Sequence, residues 1–207
     1  MSLMAMMYDR MMTGVEEAGL SRWRAELLGE ASGATLELGA GTGRNLAFYP
    51  DDVSRLVLAE PDRSMRTRLR RAVVSTHRPR PVEVVDAPAE ALPFEDASFD
   101  TVVATLVLCS VRDPERALCE VRRVLRPEGR FLFIEHVAAE DRPPRLRWQQ
   151  RVEPVWRAVA GNCHVTRRTE TAITAAGLTV ERVERASMRK APSFVRPTIR
   201  GSARVAA

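Results

Sequence analysis

Glu37-Leu38-Gly39-Ala40-Gly41-Thr42-Gly43-Arg44-Asn45 decides the reading of this chain. The apolar stretch Ala34-Thr35-Leu36 runs into an acid and then into three glycines at alternate positions. Gly39, Gly41 and Gly43 lack the Cβ atoms that would keep a backbone turn from pressing against a ligand. Such a turn is expected to open a helix whose free N–H groups attract oxygen-rich or anionic ligand parts. Glu37 narrows the choice, because a carboxylate beside the turn repels phosphate and attracts an ammonium or sulfonium cation. A lone G-x-G-x-G is a weak signal. An ordinary strand-to-helix turn and a dinucleotide loop remain competing readings at this point.

The whole chain sets bounds. Its 207 residues suit one domain with a sizeable core. Hydrophobic residues at 45% and charged ones at 29% are the proportions of a soluble globular protein. No apolar stretch approaches the roughly 18–20 residues needed to cross a bilayer. The first residues lack a basic segment followed by an apolar one, so no secretory leader is expected, and Met1-Ser2-Leu3 is set aside from the fold. Cys109, Cys119 and Cys163 are odd in number and lack C-x-x-C spacing. Neither a disulfide framework nor a zinc site follows, and a reducing cytoplasm is expected. His77, His136 and His164 are too dispersed for a local metal motif.

The net charge is +5, and Lys190 is the only lysine among the basic residues. Acids prevail before residue 111 and arginines after it. A basic half suits nucleic acid or an anionic membrane surface. A solvated arginine-rich face is the preferred reading, because the sparse aromatics do not interleave with the basic residues.

Strand and helix patterns alternate throughout, without repeats or linkers. Val15 to Glu30 reads as a helix, Thr35 to Leu38 as the first strand, and Arg44 to Phe48 as part of the next helix. Arg55 to Glu60 is a short buried strand ending in an acid, and Asp62 to Val74 a helix stopped before Pro79 and Pro81. Val82 to Val85 is the third strand. Phe99 to Leu108 reads as a central parallel strand covered on both faces. Asp113-Pro114 starts a helix with a cap and an N1 proline, and Ala117, Leu118, Val121, Val124 and Leu125 form its apolar stripe. Arg130 to Val137 is the fifth strand. Helices follow from Pro143-Pro144 to Val159 and from Thr166 to Ala176, then strands from Leu178 to Glu184 and Ile199 to Val205. This succession predicts a doubly wound α/β sheet, with its ligand beyond the carboxyl ends of the strands.

Two further elements join the turn. Glu60 lies 21 residues beyond Gly39, where a carboxylate accepts both hydroxyls of a ligand ribose. Pro61-Asp62 begins the next helix, and Met65 is placed to pack near a bound purine. Asp86-Ala87-Pro88-Ala89-Glu90 forms a loop of small residues and acids, in which Asp86 or Glu90 can accept from an adenine amino group. A solvated acidic loop is the alternative for either acid.

Taken together, Glu37 to Asn45, Glu60, Ala89 to Phe94 with Ser98-Phe99-Asp100, and Arg123 to Gly129 resemble a class I S-adenosylmethionine-dependent methyltransferase over nearly the whole chain. The resemblance implies a seven-stranded, mostly parallel Rossmann-like sheet of order 3-2-1-4-5-7-6 with the last strand antiparallel. It implies S-adenosylmethionine as cofactor. Glu37, Gly39, Ala40, Gly41, Thr42, Gly43 and Asn45 would lie beside the methionine part, and Glu60 on the ribose. Pro61, Met65, Asp86, Ala89 and Glu90 would surround adenine, with Thr105 and Leu106 completing the cofactor contacts. The expected organisation is one methyltransferase domain over 1–207, with residues 1–30 as a helical lid.

A narrower resemblance rests on Thr105 to Val111, Glu135 to Glu140, Trp148-Gln149-Gln150, Glu153 to Trp156, Cys163 to Arg167 and Arg196 to Ile199. These are similar to the methyltransferase-like thiol S-methyltransferases of animals, which implies a small-molecule acceptor such as an alkyl thiol. A phospholipid headgroup or an oxygen or nitrogen acceptor on another metabolite is the alternative. The chain is expected to depart from those enzymes in having no N-terminal membrane anchor, with at most peripheral membrane contact through Met4 to Met12. His136, at the end of the fifth strand, is the candidate catalytic base or hydrogen-bond acceptor, against a second role orienting the loop. Cys109 and Ser110 are read as pocket wall, Trp148 and Trp156 as packing, and Tyr8 as part of the lid.

Overall fold

The computed structural model describes residues 13–76 and 79–205. The expected lid residues Tyr8 and Met4 to Met12 lie outside the described residues, as does His77. The strands are β1 (Gly33–Leu38), β2 (Val53–Ala59), β3 (Val82–Val85), β4 (Phe99–Thr105), β5 (Leu125–His136), β6 (Leu178–Ser187) and β7 (Pro197–Val205). They form one sheet of order β3-β2-β1-β4-β5-β7-β6. β1 to β5 pair in parallel, and β7 runs antiparallel to both β5 and β6. This is the order expected of the sequence.

The central strands are apolar on both faces because both are covered. Leu36, Leu38, Val57, Val102, Phe131 and Phe133 share one apolar cluster. Leu56, Leu58, Val103, Leu132 and Ile134 share the other. Each such side chain, fully buried, stabilises the fold by about 1.5–3 kcal/mol. The helices are α1 (Ser21–Leu28), α2 (Arg63–Ser75), α3 (Pro114–Val124), α4 (Pro143–Val159) and α5 (Thr169–Ala175). α3 buries Ala117, Leu118, Val121 and Val124 in the first cluster, and α1 buries Leu27 and Leu28 in the second. Asp62 and Asp113 cap α2 and α3, accepting from Met65 N at 2.8 Å and Arg116 N at 3.0 Å.

Several boundaries differ from the sequence reading. No helix follows the glycine turn; Arg44 to Phe48 is a turn ending in one 3-10 segment, Leu46–Phe48. Tyr49 is extended there (ψ 128°), as the ring of Pro50 requires of the residue before it. β4 stops at Thr105 instead of Leu108, because Leu106 turns into the left-handed region (φ 61°). The first helix carries a π turn, Glu16–Leu20, kinked at Gly19 (φ 134°) ahead of α1. α5 is shorter than Thr166 to Ala176.

The arginine excess is largely spent on acids. Arg200 pairs with Glu26 and Glu184, Arg182 with Glu30, Arg185 with Glu170, and Arg126 with Asp100.

Gly43 joins the turn to α2. A Cβ there would lie 2.8 Å from Leu46 Cδ1 and 3.0 Å from Leu69 Cδ1, at a φ of +87°. Gly43→Ala is expected to lower stability by about 1–3 kcal/mol. Urea unfolding checks this, and an unmoved midpoint would contradict the packing.

Candidate cofactor and acceptor site

The carboxyl ends of β1, β2 and β4 converge at the glycine turn. Glu37 is paired in register with Leu58 and Val103, so its carboxylate enters an apolar layer. It is 2% exposed. Its oxygens accept from Tyr49 OH at 2.7 Å and Asn45 Nδ2 at 2.9 Å. Burial raises its pKa to about 7, opposed by those two hydrogen bonds and by the charge of Arg24. Asn45 Nδ2 also donates to Thr105 Oγ1 at 2.9 Å. Arg24, from α1, donates through Nη1 to Asn45 Oδ1 at 2.7 Å and to Thr105 Oγ1 at 2.9 Å. Its Nε donates to Glu16 Oε1 at 3.1 Å. Glu37, Asn45 and Thr105 thus form one network, fastened by two residues that the sequence reading passed over, Arg24 and Tyr49.

The three glycines of the turn have three different neighbourhoods. A Cβ on Gly39 would meet Val107 Cγ2 at 2.8 Å, and one on Gly43 would meet Leu46 and Leu69. A Cβ on Gly41 (φ +58°) would meet nothing nearer than the Gly39 carbonyl at 3.9 Å. Gly41 is therefore the position where the turn leaves room for a ligand, and Gly39 and Gly43 are small to fit protein. Ala40 anchors the turn, its N–H donating to Ala59 O at 3.0 Å.

Glu60 follows β2 and faces the same turn. Its Oε2 accepts from Gly41 N at 2.7 Å and its Oε1 from Asp62 N at 2.8 Å. Burial raises its pKa, and Glu37 and Glu60 sit near enough to feel each other's charge. Pro61 is exposed and Met65 is half-buried in the first turn of α2.

The loop after β3 has its acids already engaged. Asp86 forms a two-pronged pair with Arg66, at 3.0 Å and 2.6 Å, and Arg66 also donates to the Glu60 carbonyl at 2.7 Å. Glu90 accepts from Arg112 N at 2.8 Å and Asp113 N at 3.3 Å, tying the loop to the start of α3. Ala89 is buried beside them.

The segment after β4 is held by Glu135. This fully buried carboxylate accepts from Val107 N and Leu108 N at 2.9 Å and from Cys109 N at 3.1 Å. Burial raises its pKa to about 7 against those three donors. Arg167 holds the carbonyl side, donating to Leu108 O and Val111 O. Asn162 Nδ2 donates to Ser110 O at 2.9 Å, and His164 N to Cys109 O at 2.7 Å.

His136 ends β5, 7% exposed. Burial lowers its pKa to about 4, opposed only by a hydrogen bond to the Val195 backbone. Its Nδ1 is buried without a partner. A neutral ring with a bare nitrogen accepts a hydrogen bond at neutral pH but holds a proton poorly, so the geometry supports the acceptor half of the expected role over the base half. Cys109 and Cys163 are buried free thiols in the same cluster as Trp156.

Two signals for the missed residues were present. Arg24 interrupts the stripe Leu20, Leu27, Leu28, where a helix facing the core should carry an apolar side chain. Glu135 breaks the apolar run Phe131 to Ile134 of a doubly covered strand.

Glu37 and Glu135 both have folded pKa values above the ordinary 4.5. Between pH 4.5 and 7 the folded state binds more protons than the unfolded chain, so stability falls as pH rises through that window. Each group is expected to account for on the order of 2–3 kcal/mol. Denaturant melts of Glu37→Gln and Glu135→Gln should show a flatter slope there than the unaltered protein; equal slopes would refute the buried-acid account.

Similarity to known proteins agrees with this geometry. A family described as a methyltransferase domain matches residues 36–133, from β1 into β5. Human thiol S-methyltransferase TMT1A is 37% identical over 169 residues, covering 81% of this chain and 69% of that protein. Human thiol S-methyltransferase TMT1B is 42% identical over 137 residues, covering 66% of this chain but only 56% of that protein. The chain thus spans just over half the length of the second relative. Geranyl diphosphate methyltransferase, solved in complex with S-adenosylmethionine, shares the fold with a TM-score of 0.70 at 14% identity, over 91% of this chain and 85% of that one. The chain belongs to the class I S-adenosylmethionine-dependent methyltransferases, with S-adenosylmethionine as its cofactor.

Proposed function

We propose that this protein methylates the sulfur of a small alkyl thiol in the cytoplasm. The observation that carries this reading is the likeness to TMT1A over 81% of the chain, which reaches well past the residues shared by methyltransferase domains in general. The chemistry of the site supports it. A cysteine-type thiol has a pKa of about 8.5, so a few per cent is thiolate at neutral pH and no strong base is needed. A phenol, at about 10, asks for more. His136, with a pKa near 4, offers little help to such an acceptor.

S-adenosylmethionine, when bound, would supply an electrophilic methyl group on its sulfonium; the acceptor sulfur would bond to that carbon, the electron pair of the carbon–sulfonium bond would stay with the cofactor's sulfur, and the thiol proton would go to water. The protein's part is binding and alignment. Glu37 favours the cationic amino-acid end, Gly39 to Gly43 and Asn45 line it, and Glu60 accepts from the ribose hydroxyls. Pro61, Met65, Asp86 and Ala89 border the adenine, with Glu90 fastening their loop. Thr105 and Leu106 close the methyl side. His136, at the carboxyl end of β5, helps to position the acceptor. The described part of the N-terminal segment, residues 13–30, belongs to the same single domain and brings Glu16 and Arg24 to the site. No described helix is long and apolar enough to cross a membrane, and three unpaired cysteines suit a reducing compartment.

Radiolabelled methyl transfer across alkyl thiols, phenols, amines and phospholipids tests the acceptor. Turnover is expected with thiols, and silence with every thiol would end the proposal. With an alkyl thiol, kcat/KM should rise about tenfold per pH unit until the acceptor's own pKa. His136→Leu should raise KM for the thiol without moving that break.

Binding of S-adenosylhomocysteine, whose ammonium favours ionised Glu37, should release protons below about pH 7. Calorimetry in buffers of different ionisation enthalpy reads this directly. Buffer-independent heats would remove Glu37 from the ammonium.

A further inference from the structure

Arg24 has no obvious business inside the fold. It is 4% exposed, on the core-facing stripe of α1, and its guanidinium reaches Asn45 and Thr105, two residues placed beside the cofactor's amino-acid end. Glu16, 8% exposed, supplies the only carboxylate hydrogen-bonded to it among the described residues, at 3.1 Å and 3.4 Å from Nε. Ser21 Oγ donates to the other side of that carboxylate at 3.0 Å.

The charges around this point have a pattern. Glu37 offers a negative group and Arg24 a positive one, both bonded to Asn45. An amino acid carries an ammonium and a carboxylate on one carbon, so the pair matches both ends of a zwitterion. A buried guanidinium without a carboxylate would be costly. Glu16 is the carboxylate that meets this need in the structure, on the Nε edge that an incoming carboxylate would also seek.

Glu16 is able to be the one that yields. It lies before the Gly19 kink, while Arg24 lies after it in the regular part of α1. A Cβ at Gly19 would meet nothing within 4 Å, so nothing packs against the kink. Glu16 and Arg24 thus lie on opposite sides of the kink, and Arg24 keeps its bonds to Asn45 and Thr105 independently of Glu16.

We infer that Arg24 is the receptor for the carboxylate of the cofactor's amino-acid end, and that Glu16 is an internal stand-in which the cofactor displaces on entry. This rests on the placement of the amino-acid end proposed above. It makes cofactor binding an exchange of carboxylates on one arginine.

The test compares three probes by calorimetry: S-adenosylmethionine, its decarboxylated form, and 5′-methylthioadenosine, which lacks the amino-acid end. Arg24→Gln is expected to weaken S-adenosylmethionine by about 10- to 100-fold, the range of a charged hydrogen-bonded pair, and to leave the other two within about threefold. Equal losses on all three, or no loss on S-adenosylmethionine, would overturn the assignment. Should Arg24→Gln fail to fold, Glu16→Gln answers independently. Removing the competing charge should tighten S-adenosylmethionine by about 3- to 10-fold and leave the decarboxylated form unchanged; no tightening would overturn the exchange. If the unaltered protein binds none of the three, the placement of the cofactor fails first and this inference with it. Binding that does not distinguish the decarboxylated form from its parent sinks the inference alone.

Discussion

The site depends on a carboxylate put where a leucine would be expected. Glu37 lies level with Leu58 and Val103 on a covered face of the sheet. Taking an ionised acid out of water costs several kcal/mol unless its oxygens find donors. Tyr49 and Asn45 provide them, and both come from the stretch beyond the glycines. The turn must therefore close over Glu37 for the strand to remain buried, and its shape follows from that requirement. Asn45 passes the constraint to Thr105 on β4 and Arg24 on α1, so three elements are tied to one acid.

The segment after β4 uses the same device. Glu135 spends its buried oxygens on three consecutive N–H groups of the segment after β4, a stretch with no strand or helix to satisfy them. Arg167, Asn162 and the His164 backbone hold the opposite, carbonyl side. An irregular segment gripped from both sides keeps its groups oriented before any ligand arrives, which is what alignment-driven transfer needs. The ability of both acids to take up a proton near neutrality follows from the burial that makes them effective anchors.

Much of this architecture was legible because burial writes itself into sequence. Val82–Val85 and Pro143–Val159 fall where periodicity and proline placed them, and Asp62 and Asp113 cap the helices they precede. The strand order came from the resemblance of the motifs to a methyltransferase, not from periodicity. What escaped was long-range. Glu90 reads locally as a free loop acid, yet its partners are backbone groups 22 and 23 residues away. The helix expected after the turn was lost to Pro50, whose effect reaches only one residue back but ends the segment. Arg24 was hidden in a helix dense with arginine and glutamate, where one more charge draws no notice until it proves to point inward.

Gly39 and Val107 touch so closely that no side-chain atom fits between them. One belongs to the glycine turn and the other to the segment after β4. The spacing of these two loops is thus set by backbone resting on a β-branched side chain, with no flexible spacer. Bulk added at either position would push the other away, so neither loop can be re-shaped alone.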